Sequence, residues 1–137
     1  MPAALRPRLL PLVCACLLAL AAGCGDGDGN PEDDVRASLD RFAKATAAKD
    51  FQTLCDSVFA KGLVDQVNRE LPCELALKNS SLGDAEKPSL EILSVKVDGE
   101  RASARVRSSA ANQPPSEDTV GLLKEQGEWR IISLSSS

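Results

Sequence analysis

The apolar pattern of this chain changes period once, after Leu77, and nothing else in the sequence restricts the fold as tightly. Before that point Val35, Leu39, Phe42 and Thr46 recur at steps of four, three and four, which is one stripe of a helix. After it, Arg101 to Ser108 alternates. Ala102, Ala104 and Val106 point one way, and Arg101, Ser103, Arg105 and Arg107 the other. Helices first and strands afterwards predict an α+β fold, in which N-terminal helices pack on one face of an antiparallel sheet of about four strands.

Local signals place the elements. Asn30 can cap the first helix, Pro31 suits its first position, and Glu32, Asp33 and Asp34 complement the positive end of its dipole. Arg36, Asp40 and Lys44 form an i, i+4 ladder on a solvated face. Asp50 caps a second helix with Phe51, Leu54, Cys55 and Val58 inward, and a third stretch carries Leu63, Val64 and Val67, with Asp65 spaced to pair with Arg69. Pro72 interrupts it, and Cys73 to Lys78 adds a further turn or two that brings Cys73 back against the second helix. Asn79 to Pro88 reads as a polar loop. Leu90 to Val97 reads as a strand whose phase slips at Ile92-Leu93, predicting a bulge, and Asp98-Gly99 is a hairpin turn signal. Ala110 to Asp118, with Pro114-Pro115, reads as a longer loop. Thr119 to Glu125 and Glu128 to Leu134 read as a second hairpin around Gln126-Gly127. Val120 and Leu122 join Ala102, Ala104 and Val106 on the face turned to the helices.

The N-terminus carries an address. Arg6 and Arg8 precede an apolar run from Leu9 to Ala22, shorter than the roughly 20 apolar residues of a spanning helix and suited to a removable signal. Leu20-Ala21-Ala22-Gly23-Cys24 closes the run and resembles the bacterial lipobox, with Ala21 where that motif prefers Leu. The resemblance implies cleavage before Cys24, diacylglycerol and palmitate on Cys24, and an extracytoplasmic protein anchored to the cell membrane. Two or three acyl chains give lasting attachment where one gives only marginal binding. The expected organisation is a signal peptide over 1–23, a flexible acidic tether over 24–30 and a single domain over 31–137. Asp26, Asp28 and Asn30 imitate the start of a calcium loop, but Pro31 stands where the turn glycine belongs and Ala37 where the bidentate Glu belongs, so no metal site is expected there.

Composition excludes several functions. Removing the leader takes two arginines and no acidic residue, moving the net charge from −4 to −6, which argues against nucleic-acid binding. The chain has no His, so Ser-His-Asp and Cys-His catalysis and His metal ligation are excluded. It has no Tyr and a single Trp, Trp129, leaving little for ring-based recognition of sugars or bases. Cys14 and Cys16 leave with the leader, so Cys55 and Cys73 remain in an oxidising compartment. Their spacing, far from Cys-x-x-Cys, favours a structural disulfide over a redox-active or metal-binding pair. No cofactor is expected.

The order of elements is similar to the nuclear-transport-factor-2-like superfamily of cystatin-like α+β cones. The first helix with Phe42, the Lys49-Asp50-Phe51 start of the second helix, and Gly127-Glu128-Trp129-Arg130-Ile131 in the last strand carry the likeness. A cysteine pair across the helical half is also similar to small actinobacterial lipoproteins of this fold. The resemblance implies a sheet curved around the helices to leave a conical cavity. Phe42, Phe51, Ala102, Ala104, Val106 and Trp129 are its candidate lining; the alternative is that Phe42, Phe51, Phe59 and Trp129 fill that space against the small alanines. Members include enzymes, ligand binders and docking modules, so fold alone selects none of these. With no His or Tyr, and with Ala102, Ala104 and Val106 facing inward, a non-enzymatic module is expected. It would bind a small apolar ligand in the cone or an envelope protein partner through Arg101, Arg105 and Arg107. A hydrolase or isomerase of the same fold, acting on a small apolar substrate, is the alternative.

The anchor assignment is directly testable. Replacing Cys24 with Ala is expected to move the protein from the membrane to the soluble fraction on cell fractionation. Retention in the membrane after leader cleavage would show that Cys24 is not the anchor.

Overall fold

Helix α1 (Pro31–Ala47) begins where its cap requires: the Asn30 side chain accepts from the Glu32 N–H at 3.1 Å, and Pro31 occupies the first turn. The structure is a computed structural model that describes residues 29–136; the leader, Cys24 and the tether up to Asp28 lie outside the described residues. The stripe expected on α1 is buried throughout, with Val35 and Leu39 wholly inaccessible. The helix stops in a left-handed turn. Lys49 takes φ 56°, its N–H donates to Thr46 O at 3.1 Å, and the Asp50 N–H donates to Ala45 O at 2.9 Å, the paired bonds of a Schellman cap.

Asp50 immediately starts α2 (Phe51–Thr53), accepting from the Thr53 N–H at 3.0 Å and from its hydroxyl at 2.7 Å. These bonds hold the exposed Asp50 carboxyl below its ordinary value. The helix widens into a π-helical turn, Leu54–Val58, that buries Leu54, Cys55 and Val58. Helices α3 (Lys61–Val67) and α4 (Cys73–Lys78) follow, and Cys55 and Cys73 are joined with their Cα atoms 6.1 Å apart. Asp65 pairs with Lys61 at 2.7 Å rather than with Arg69, because α3 ends at Val67 and Arg69 leaves the i, i+4 row. A four-residue helix α5 (Ser81–Asp84), capped by Ser80, lies within the expected loop; one turn is too short to show a period.

The sheet is a meander in chain order: β1 (Ser89–Asp98), β2 (Arg101–Ala110), β3 (Gln113–Glu125) and β4 (Glu128–Ser136). The expected bulge is present between Ile92 and Ser94. In the last hairpin Gln126 and Gly127 take φ 51° and 80°, the two positive angles of a type I′ turn matched to strand twist. The loop expected over Ala110 to Asp118 does not exist. Ala111 and Asn112 turn the chain, and β3 starts at Gln113. Pro114 and Pro115 stand opposite the single residue Ser109 in a bulge, where the missing N–H groups cost no ladder bond. A third register shift lies between Gly121 and Leu122.

The sheet is curved and unclosed, and its concave face meets α1. Ala102, Ala104, Val106, Val120, Leu122, Trp129 and Ile131 form one core with Val35, Leu39, Phe42, Leu54, Val58 and Phe59. Burial of each large aliphatic or aromatic side chain stabilises by about 1.5–3 kcal/mol. The Phe42 and Phe59 rings meet at 6.1 Å. Ser38 donates to Trp129 O at 2.8 Å, tying the middle of α1 to β4. Every described member of this core lies between Val35 and Ile131, within the segment 29–137.

The Cys55–Cys73 bridge closes an 18-residue separation. Replacing either cysteine with Ala is expected to cost about 3 kcal/mol in oxidising buffer, measured by urea unfolding. Equal stability of oxidised parent and variant would remove the bridge from the account.

Candidate functional site

Beyond the end of α1 the sheet continues without a helix to cover it, and its inward side chains change character. On β2 the inward phase runs Ala102, Ala104, Val106, Ser108. On β3 it runs Leu122, Val120, Asp118, Ser116, with Asp118 paired to Val106 and Ser116 to Ser108. Apolar residues thus line the base of the cone and polar residues its mouth. Between the mouth and the last turn of α1 lies a pocket of about 450 Å³. Phe42, Thr46, Leu82, Leu90, Val106 and Asp118 are among its lining residues, and exposed Leu134 borders it.

The two stretches that read as loops meet to build its rim. The Ala111 N–H donates to Glu86 O at 2.7 Å, the Glu86 N–H to Asn112 Oδ1 at 2.8 Å, and Asn112 Nδ2 to Asp84 O at 2.8 Å. Gln113 Nε2 donates to Ser81 O at 2.8 Å. From the other side the Lys49 ammonium donates to Gly83 O and to Ala85 O, the latter at 2.6 Å. A Cβ at Gly83 would lie 2.1 Å from Lys78 O, so only glycine fits this approach.

The polar groups of the pocket have an unusual balance. Ser108 Oγ and Ser116 Oγ each lie 2.8 Å from Asp118 Oδ2 and 2.9 Å from one another. Three oxygens therefore share two hydroxyl protons. Among the described residues Asp118 is the one charged member of the lining. On the helix side Thr46 Oγ1 is buried and has no protein partner, an arrangement that costs about 1–3 kcal/mol. Trp129 Nε1 is likewise unpartnered, in the filled base, with the Lys124 ammonium 5.9 Å from the ring centroid. Among the described residues no three His, Cys, Asp or Glu side chains gather as a metal site would require.

The expected cavity residues divide. Phe42 and Val106 line the pocket. Ala102, Ala104 and Trp129 lie instead in the continuous core, where large neighbours fill the space the alanines leave. Phe51 faces a separate groove beside the disulfide, with Val64 and Leu75. The expected contact row is on the convex face and is internally paired. Arg105 meets Glu117 at 3.0 Å, and Arg107 meets Glu117 at 2.8 Å and Glu91 at 3.3 Å. Arg101 has no ion pair among the described residues. Sequence reading passed over Thr46 as a stripe residue, and over Ser108, Ser116 and Asp118. The available signal was that the alternation of β2 runs on past Val106, putting a hydroxyl on the inward phase.

Comparison with family models and with curated proteins found no match. Solved structures do match. An NTF-2-like protein of unknown function from Silicibacter pomeroyi is 21% identical, with a TM-score of 0.55 over 77% of this chain and 92% of that one. One from Shewanella oneidensis, also of unknown function, is 17% identical, with a TM-score of 0.60 over 79% and 99%. A third, from Shewanella baltica and of unknown function, is 16% identical, with a TM-score of 0.50 over 77% and 90%. The chain has the nuclear-transport-factor-2-like fold expected from its element order.

The convex ion-pair network gives a pH prediction. Hydrogen bonding from Arg107, then from Arg105, holds the Glu117 carboxyl below the ordinary glutamate range, and the Glu117 carboxylate raises Arg107 in return. A lowered folded value means a contribution present above the unfolded glutamate value and lost as pH falls through the folded one. Glu117→Gln is therefore expected to be slightly less stable than the parent at pH 7 and equal to it in acid, read by thermal melts across pH. A gap that persists unchanged in acid would show that the charge of Glu117 is not its source.

Proposed function

We propose that this chain is a membrane-tethered, extracytoplasmic lipoprotein whose domain binds a small, largely apolar ligand in the mouth of the cone without transforming it. The pocket of about 450 Å³ carries the reading. It is of the size that encloses small organic molecules; Leu, Val, Phe, Ala and Pro make up somewhat more than half of its lining, and Ser, Thr, Gln and Asp the rest. The lipobox resemblance at Cys24 supplies the tether. The pairing of Arg105 and Arg107 with Glu91 and Glu117 favours the pocket over the convex face as the recognition surface.

The chemistry of the pocket supports a binder. A serine nucleophile needs a neighbouring base that takes its proton at neutral pH, and the chain has no imidazole to do so. One observation favours the rival reading of an isomerase or hydrolase: the Asp118 carboxylate stands on the pocket wall, where it can accept a proton.

Native mass spectrometry tests this on residues 29–137 purified from an exporting host without reducing agent. Retention of a small-molecule mass is expected. Ala43→Trp, which fills the pocket from α1, is expected to abolish it with little change in melting. A bare mass for both proteins would count against the pocket and turn attention to envelope partners. Recovery of the ligand chemically unchanged after long incubation supports a binder, and a rearranged or cleaved product supports the enzyme.

A further inference from the structure

We propose that the pocket selects amphiphiles bearing a positively charged primary amine. Asp118, Ser108 and Ser116 would hold the ammonium, and the wall of Phe42, Leu90 and Val106 the hydrocarbon. This rests on the ligand-binding reading of the same pocket and assigns the head group.

The oxygen triangle carries the inference. Ser108 Oγ, Ser116 Oγ and Asp118 Oδ2 lie 2.8–2.9 Å apart, and two hydroxyl protons cannot satisfy three such contacts. If both serines donate to Asp118, their mutual contact is between lone pairs. If they donate in series, one of the two serines no longer donates to the carboxylate. Either way the triangle has an excess of acceptors. Asp118 Oδ1 accepts no hydrogen bond among the described residues, and neither does Asp118 pair with a Lys or Arg there. Its neighbour Glu117, on the opposite face, pairs with two arginines. The arginines that pair with Glu91 and Glu117 lie on the convex side, so the concave carboxylate is left without a cationic partner among the described residues.

A primary ammonium presents three N–H donors on one atom; the triangle is one proton short of its three contacts, and Asp118 Oδ1 is open to a further donor. A hydroxyl head brings one donor and no charge, and a carboxylate head meets like charge in a half-enclosed site. The net negative charge of the chain, −4, also favours a cationic ligand over an anionic one.

Decylamine, decanol and decanoate, each below its aggregation concentration, separate the head group from the tail. Calorimetry on residues 29–137 at pH 7 is expected to show decylamine binding about tenfold tighter than decanol, with decanoate weakest. Asp118→Asn, which keeps the shape and removes the charge, is expected to bring decylamine down to the decanol level while decanol binding stays unchanged. That unchanged decanol binding certifies the fold of the variant. Should Asp118→Asn fail to bind decanol, Ser116→Ala at an exposed position provides the second measure, with an expected severalfold loss for decylamine alone. Equal affinity of the parent for decylamine and decanol, or a variant that keeps the amine preference, overturns the head-group assignment and leaves the apolar pocket standing. Failure of all three probes to bind overturns the pocket reading and the head-group assignment together.

Discussion

A four-stranded sheet can wrap a single 17-residue helix only if it bends, and here each of the three strand pairings carries one register shift. An extra residue in one strand locally breaks the ladder and increases its twist and bend. The shifts at Ile92/Ser94, Ser108/Ala110 and Gly121/Leu122 are spread across the meander rather than stacked at one end. Curvature brings Ala102 and Ala104 of β2 into one core with Trp129 of β4 and with Val35 and Leu39 of α1. A flat sheet of the same sequence would leave part of that apolar face in water.

The same curvature makes the pocket, because the helix is shorter than the face it covers. Helix α1 ends in the Lys49 turn while β2 and β3 run on to Ala110 and Gln113. What fills the difference is irregular chain: α5 and its flanks, tied to the β2–β3 turn by Glu86, Asn112 and Gln113 and to the end of α1 by Lys49. A short segment held by polar bonds at its backbone forms a wall without filling the volume behind it. The base of the cone, in contrast, is packed by Trp129, Phe42 and Phe59. One end of the interior is therefore solid and the other accessible.

Charge is distributed to the same effect. Arg105 and Arg107 face outward and are matched by Glu91 and Glu117, with pair energies that solvent keeps small. Inside, a single carboxylate on the pocket wall is left with two hydroxyls and no cation among the described residues. Three structural relatives of unknown function share this fold, and it hosts many chemistries, so the side chains at the mouth rather than the fold must decide what enters.

The sequence by itself determined the elements and their inward faces. The Asn30 and Asp50 caps, the Val35–Leu39–Phe42–Thr46 stripe, the alternation of β2 and the bulge near Leu93 are all local, set by period and by hydrogen bonds within a few residues. Tertiary structure alone decided the pocket. Asn79–Pro88 and Ala110–Asp118 each read as loop because proline, glycine and polar residues carry no period. They become a wall and a strand only when the one lies against the other, more than 20 residues away in the chain. Pro114 and Pro115 could enter a strand because together they form a bulge opposite the single residue Ser109. Thr46, Ser108, Ser116 and Asp118 come to border one pocket through that closure, since a hydroxyl on an inward phase would be a packing fault in a filled core.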